Sequence, residues 1–560
     1  MSDNQLVLGP LLRHVDRSSA TVWVEVARRS TVTVHADGRE WSAPTFSAHG
    51  HHYAVVDVLD LQPASTYEYT VAVDGTSVWP LPDTPAPSLI RTVDTARGLR
   101  FAFGSCRTSI AHDAAGNKSH GIDVLRAYAL RMMSTGEDRD EWPDMVLFLG
   151  DQVYADETSD AMQEYIAARR SLDEPPGEEL KNYTEYAHLY ALAWSDPANR
   201  WLLSTLPSAM IFDDHDIRDD WNTSQSWRED IERTEWWHDR IVGGLASYWV
   251  YQHLGNLTPA ERANDKVWQY ILQQRELGED DITVALDEFA ERADERPESY
   301  RWSFTREYEG ARLVVVDSRA ARVLTPGQRR ILDESEAAWV SEQLTGDVDH
   351  LFIGTSLPFL LPLGLHEFEA WNEATGDGAW GRRFSGLAER IRQGVDLEHW
   401  AAFQKSFRQV AALVTDVAEG RRGTSPSTVT FLSGDVHHSY LAEVVRPPGG
   451  TRIVQAVCSP IRNPLPMAIR AGQAMTSKRP AVAFARRLAR RAGVPEPPFT
   501  WSITEGPWFD NMLATVQLDG PNLVMKWESA TVDSVQDIDP ELYTVNEFKV
   551  VGQAPAVPTG

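Results

Sequence analysis

Cysteine is scarce: the 560 residues contain two, Cys106 and Cys458. At most one bridge can form, so a secreted disulfide scaffold is excluded. Positive charge is also in short supply, with 53 Lys and Arg against 81 Asp and Glu and a net charge of −28. That balance argues against a general affinity for nucleic acid or an anionic membrane. It leaves a phosphate substrate open, because bound metal ions can set the local field. No uncharged run is long enough to span a bilayer, so stable membrane insertion is not expected. The opening Met1-Ser2-Asp3-Asn4-Gln5 has neither a basic nor an apolar stretch, which predicts no signal peptide and a cytoplasmic location. Internal repeats and low-complexity tracts are absent.

What is present is ordinary soluble-protein composition, 42% hydrophobic and 24% charged, over a length that calls for several domains. The 20 Trp suit wide aromatic-lined surfaces and name no ligand. Up to about Pro87, short alternating segments bounded by turns predict an all-β sandwich over residues 1–90: Ala20–Val26, Thr31–Val34, Tyr53–Val58 and Tyr67–Val73. The stretch Leu61–Tyr69 resembles the tyrosine-corner region of fibronectin type III domains, and proline-dense Pro80–Pro87 reads as a linker.

From Leu99 the pattern changes. Apolar runs at Arg100–Phe103, Asp144–Leu149, Ala209–Phe212, Arg312–Val316, Leu351–Ile353 and Thr428–Leu432 each end in polar, chemically capable residues. Such runs suit strands buried on both faces, and α/β sheets bind ligands beyond the carboxyl ends of their strands. Six strands delivering polar residues at one end predict one shared site in a catalytic domain spanning 98–535, followed by a tail over 536–560. Charged, helical insertions are expected at Ser159–Leu203, Trp221–Glu298, Leu365–Glu419 and Met467–Gly493.

The strand ends supply what phosphate-ester hydrolysis needs: ligands for two metal ions that make a hydroxide and clamp oxygens. Asp151, after Gly150, is a candidate bridging carboxylate, or a turn aspartate. Tyr154 offers a phenolate for ferric iron, or is simply packed. Cys106 offers a thiolate that suits iron and not calcium, or is a small buried residue; Cys458 reads as the latter. In Asp213-Asp214-His215-Asp216, Asp214 can ligate a second metal and His215 can act as the acid, or the carboxylates cap a helix. Arg218 clamps phosphate or pairs with Asp219 or Asp220. In Gly434-Asp435-Val436-His437-His438, an extended segment would turn Asp435 and His437 to one side and His438 away.

These blocks, Ser105-Cys106, Gly150-Asp151-x-x-Tyr154, Asp213-Asp214-His215-Asp216 and Gly434-Asp435-Val436-His437, resemble those of PhoD-type alkaline phosphatases in the metallophosphoesterase superfamily. The resemblance covers nearly the whole chain. It implies an α/β fold with two mixed β-sheets flanked by helices, plus the N-terminal sandwich. It implies Fe(3+) on Cys106, Asp151, Tyr154 and His437, and Ca(2+) on Asp151, Asp214 and Asp435, with Mn(2+) or Mg(2+) able to replace calcium. It also implies phosphate contacts from His215 and from Arg107 or Arg218. The expected activity is hydrolysis of phosphoric mono- or diesters of small-molecule or lipid type. A phospholipase D-like diesterase is the runner-up, supported by the basic, amphipathic Lys478–Arg491. A catalytically silent metal-binding scaffold is the alternative of another class.

Overall fold

The computed structural model describes residues 5–552 except 83, 85, 136–138, 140, 467–469, 471–475, 477 and 533–538. The start of the Met467–Gly493 insertion and both ends of the 536–560 segment therefore lie partly outside the described residues. In the N-terminal region two antiparallel sheets face each other. One pairs Leu6–Val15, Ala20–Val26, His51–Val58 and Phe46–Ala48, and the other is built around Thr31–Ala36 and Thr66–Val73. Alternation along the strands sends Val22, Val24, Val34, Val56 and Val71 into the space between them. Tyr67 Oη accepts from the Gln62 backbone N–H at 2.8 Å, which closes the turn into its own strand. Beyond the proline-dense Pro80–Pro87, Leu89–Arg91 pairs antiparallel with Thr66–Val73.

The remaining strands form two larger sheets. In one, Ser208–Ile211, Met145–Leu149 and Arg100–Gly104 run parallel. It continues antiparallel through Leu513–Asp519, Asn522–Thr531 and Glu541–Val550. In the other, Ala311–Val316, His350–Thr355, Thr428–Ser433 and Arg452–Val457 run parallel, with antiparallel strands at both edges. The sheets stack face to face, with Phe101 edge-on to Phe352 at 5.2 Å and Trp508 beside Trp527 at 5.3 Å. Residues 541–550, assigned to a tail from sequence, are instead an edge strand of the first sheet.

Helices surround this sandwich. Those in the first two insertions, Tyr183–Trp194 and Trp237–Tyr251 among them, pack between the catalytic sheets and the N-terminal region. Arg13 from the N-terminal sandwich is buried there and donates to the carbonyls of Tyr251 and Gln252 at 2.7 and 2.6 Å. It thereby satisfies carbonyls left unpaired at the buried C-terminal end of helix Trp237–Tyr251. No helix among the described residues is long and apolar enough to cross a membrane.

Candidate metal centre

The six apolar runs read from sequence are the three parallel strands of one sheet and three of the other, so their polar ends face a common seam. Two backbone approaches close that seam. Gly150 has φ +105°, and a Cβ there would lie 2.7 Å from Asp213 Cβ; a Cβ on Gly434 would lie 1.9 Å from Ser105 Oγ. Only glycine permits both contacts. Across the seam Gly434 N–H donates to Ser356 O at 2.9 Å, and Asp435 N–H to Ser105 Oγ at 3.1 Å.

The strand ends bring candidate ligand atoms together in overlapping groups. Cys106, Asp151 and His437 form one; Asp151, Asp213, Asp214 and Asp435 form another; within each, the ligand atoms lie within 4.8 Å of one another. Asp151 belongs to both. Asp214, His215 and Asp219 form a third at the more exposed margin. Cys106 Sγ is 3.3 Å from Asp151 Oδ2 and is also met by Ser459 Oγ at 3.2 Å, from the end of a seventh strand. Cys106, Asp151, Asp435 and His437 all have positive φ, between 48° and 65°. Each such non-glycine residue costs about 1–3 kcal/mol, strain that gathers where function fixes a side chain. Asp435 and His437 therefore reach the seam from a doubly bent segment, not from the extended one expected, while His438 turns away against Tyr440 and Phe509.

The electrostatics suit a cation. Burial first, then Cys106 and Asp213, pushes the Asp151 carboxyl well above the usual range. Asp213 is raised likewise by burial, although Arg319 opposes the shift. Asp151 Oδ1 and Asp213 Oδ2 are buried without a hydrogen bond. Unpaired buried carboxylate oxygens are costly unless they are protonated or bind a metal. Burial raises the Cys106 thiol to about 12 and, with the charges of Cys106 and Asp151, lifts the Tyr154 phenol well above its ordinary value. Thiolate and phenolate would need a cation beside them. His437 falls to about 4 through burial, leaving a neutral imidazole. The donor set thus fits a soft-and-hard pair of ions.

His215 is the opposite case. Burial alone would lower it, but Asp156, Asp214 and Asp151 outweigh that and hold it well above its ordinary value. Nδ1 sits 2.9 Å from Asp156 Oδ1, and the ring lies 4.6 Å from that of Tyr154. No helix begins at Asp213–Asp216. Asp216 instead accepts from the Asp151 and Asp213 backbone N–H groups at 3.0 and 2.9 Å, locking two strand-end turns together.

The two arginines expected at the phosphate each meet a carboxylate of this chain. Arg107 is buried, its guanidinium spread over Asp123 Oδ2 at 2.7 and 3.0 Å and Ala193 O at 2.7 Å. Arg218 is held by both oxygens of Glu179, at 3.0 and 3.2 Å, and by neither Asp219 nor Asp220.

Three residues at the site went unread in the sequence. Arg319, 0% exposed, contacts Asp213, Asp214 at 3.1 Å and Glu398 at 2.5 Å, and it lies 3.8 Å from Asp435. Its strand end, Asp317-Ser318-Arg319, was visible; its target was not. His399 bonds Asp435 Oδ2 at 3.1 Å through Nε2 and Glu369 Oε1 at 2.7 Å through Nδ1. Both His399 and Glu369 come from an insertion with no local motif. This carboxylate–imidazole–carboxylate chain orients Asp435, so His399→Gln is expected to lower hydrolysis and metal affinity by about 10- to 100-fold without unfolding the chain. Titration of the metal-depleted variant checks this; affinity equal to the parent's would remove His399 from the site.

Residues 126–491 match the model of the PhoD-like phosphatase family, and residues 3–90 match a domain of unknown function (DUF7800). A solved structure titled "Structure of PhoD" superposes with a TM-score of 0.60 at 12% identity, covering 100% of this chain and 94% of the other. A type III pullulan hydrolase from Thermococcus kodakarensis (12% identity, 94% and 93% coverage) and a maltogenic amylase from S. marinus (8%, 98% and 82%) reach TM-scores of 0.14 and 0.12, too low for a common fold. No curated protein sequence matches this chain. The PhoD structure supports the fold, and the family model spans well over half of the residues: the chain belongs to the PhoD-like phosphatase family.

Proposed function

We propose that this phosphatase works at a two-metal centre, with Fe(3+) held by Cys106, Asp151, Tyr154 and His437 and Ca(2+) held by Asp151, Asp214 and Asp435. The observation that carries the reading is the double membership of Asp151, shared between a group containing sulfur and nitrogen and an all-oxygen group. Sulfur and imidazole suit iron, and clustered carboxylates suit calcium, or Mn(2+) or Mg(2+) in its place. When bound, such ions supply a hydroxide at neutral pH and neutralise the transferring phosphoryl group. Arg319 holds Asp213 and Asp214 in place, His399 does the same for Asp435, and the bends at Asp151 and His437 aim the ligands. Protonated His215, steadied by Asp156, donates its proton to the leaving oxygen.

The test compares turnover of a chromogenic phosphate monoester with that of its diester, each with and without a chelator. Chelator-sensitive turnover supports the reading, and the rate ratio identifies the ester class. Absence of turnover with iron and calcium supplied would favour the silent metal-binding scaffold. Tyr154 as a ferric ligand is expected to give a visible charge-transfer band that Tyr154→Phe removes while iron is retained; an iron-loaded parent without the band excludes Tyr154 from the iron.

A further inference from the structure

The basic segment Lys478–Arg491 falls outside the chemistry above. Helix Arg479–Arg491 lies against helix Leu363–Gly376, burying Ala485 and Ala489, with Arg486 Nε 2.9 Å from Glu367 Oε1. Its other side is exposed and carries Arg479, Phe484, Arg487 and Arg491, with Phe484 62% exposed. Arg490 meets Glu496 at 3.0 Å, whereas Arg479, Arg487 and Arg491 meet no carboxylate among the described residues. A second helix, Arg382–Gly394, packs on the same Leu363–Gly376 and is tied to it by Asn372 Nδ2 donating to Ala388 O at 2.8 Å. It too exposes arginines, Arg382, Arg383 and Arg390, that meet no carboxylate among the described residues, beside Phe384 and Leu387, which are 47% and 52% exposed.

Two helices on one support thus repeat the same composition: cations that meet no carboxylate among the described residues, interleaved with bare apolar side chains. The chain as a whole carries −28, so acidic side chains are plentiful elsewhere, yet among the described residues none meets these arginines. A solvated face has no need of exposed phenylalanine, and a soluble polyanion gains nothing from it. A bilayer surface uses both, with arginines at the headgroup phosphates and aromatic and leucine side chains in the acyl boundary. We propose that the exposed side of helix Arg479–Arg491 is a docking face for an anionic phospholipid surface, with helix Arg382–Gly394 a second element of the same composition on the same support. The bulk negative charge argues against general membrane affinity; this face is a local exception, effective because screening limits the rest of the protein to about 10 Å of reach. The supporting helix also carries Glu369, which positions His399 and through it Asp435. The docking face therefore stands one helix from the candidate centre. The inference does not depend on the hydrolytic reading.

The experiment is co-sedimentation of the full chain with vesicles of phosphatidylcholine alone or mixed with phosphatidylglycerol, in chelator so that calcium cannot bridge protein and lipid. Binding is expected only with phosphatidylglycerol, weakening as salt rises. Each cation near such a surface contributes about fivefold, so Arg487→Glu with Arg491→Glu should weaken binding about twentyfold or more. Phe484→Ala should weaken it as well, and neither variant should change thermal stability or hydrolysis of a soluble ester. Failure of the parent to bind the anionic vesicles would overturn the proposal, as would undiminished binding by the double variant. Full release by inorganic polyphosphate together with unchanged binding by Phe484→Ala would instead make the face a polyanion site, and would overturn it equally.

Discussion

Asp151→Asn is expected to lower phosphate-ester hydrolysis by more than about a thousandfold, since loss of one donor to a developing charge already costs about 100- to 1,000-fold and this residue serves two ligand groups. The same change should make the metal-free protein more stable at neutral pH. Burial, Cys106 and Asp213 raise the Asp151 carboxyl well above its unfolded value. The native state therefore binds more protons than the unfolded one between those two values, and its stability falls as pH rises through that window. Asparagine keeps the shape and abolishes the titration. Melts in chelator across pH should show a shallower decline for the variant, beside kcat/KM and elemental analysis for lost metal. Near-normal turnover would remove Asp151 from the centre.

Arg319→Met is expected to cost the metal-free protein about 3–5 kcal/mol, the usual penalty for stripping the partner from buried charge. The side chain is fully buried and touches Asp213, Asp214 and Glu398; Arg322, 3.3 Å from Glu398, covers only the last of these. Added divalent cation should restore part of the loss, because it replaces the missing charge beside Asp213 and Asp214. Arg319→Lys keeps the charge but cannot span three carboxylates with one planar fork, so it should fall between. Denaturant midpoints with and without metal check the series, and an unchanged midpoint for Arg319→Met in chelator would refute the role.

The legible parts of the fold were those written in local pattern. Val146–Phe148 and Val314–Val316 are apolar at every position because both faces of their strands are covered, and the glycine of Gly150-Asp151 announces a backbone that no other residue can follow. Pairing of Glu541–Val550 with Asn522–Thr531 was not legible. That strand has one face half exposed, and its alternation is too weak to separate from a polar tail. The partners of Arg107 and Arg218 were not legible for a related reason: an arginine near a motif looks like an anion clamp until the distant residue that pairs with it is known. Asp123 and Glu179 are those residues, and nothing in spacing connects them to the site.

By itself the sequence determined the β-rich start, the buried parallel strands and the residue types at their carboxyl ends, because each follows from periodicity and from chemistry confined to a few neighbouring residues. Tertiary structure alone decided which of those ends meet. It joined Cys106 to Asp151 and His437, set Arg319 among three carboxylates, and brought His399 and Glu369 from an insertion onto Asp435. It also gathered two arginine-rich helices on one support. These are contacts between segments tens to hundreds of residues apart, fixed by how two sheets stack and not by any signal along the chain.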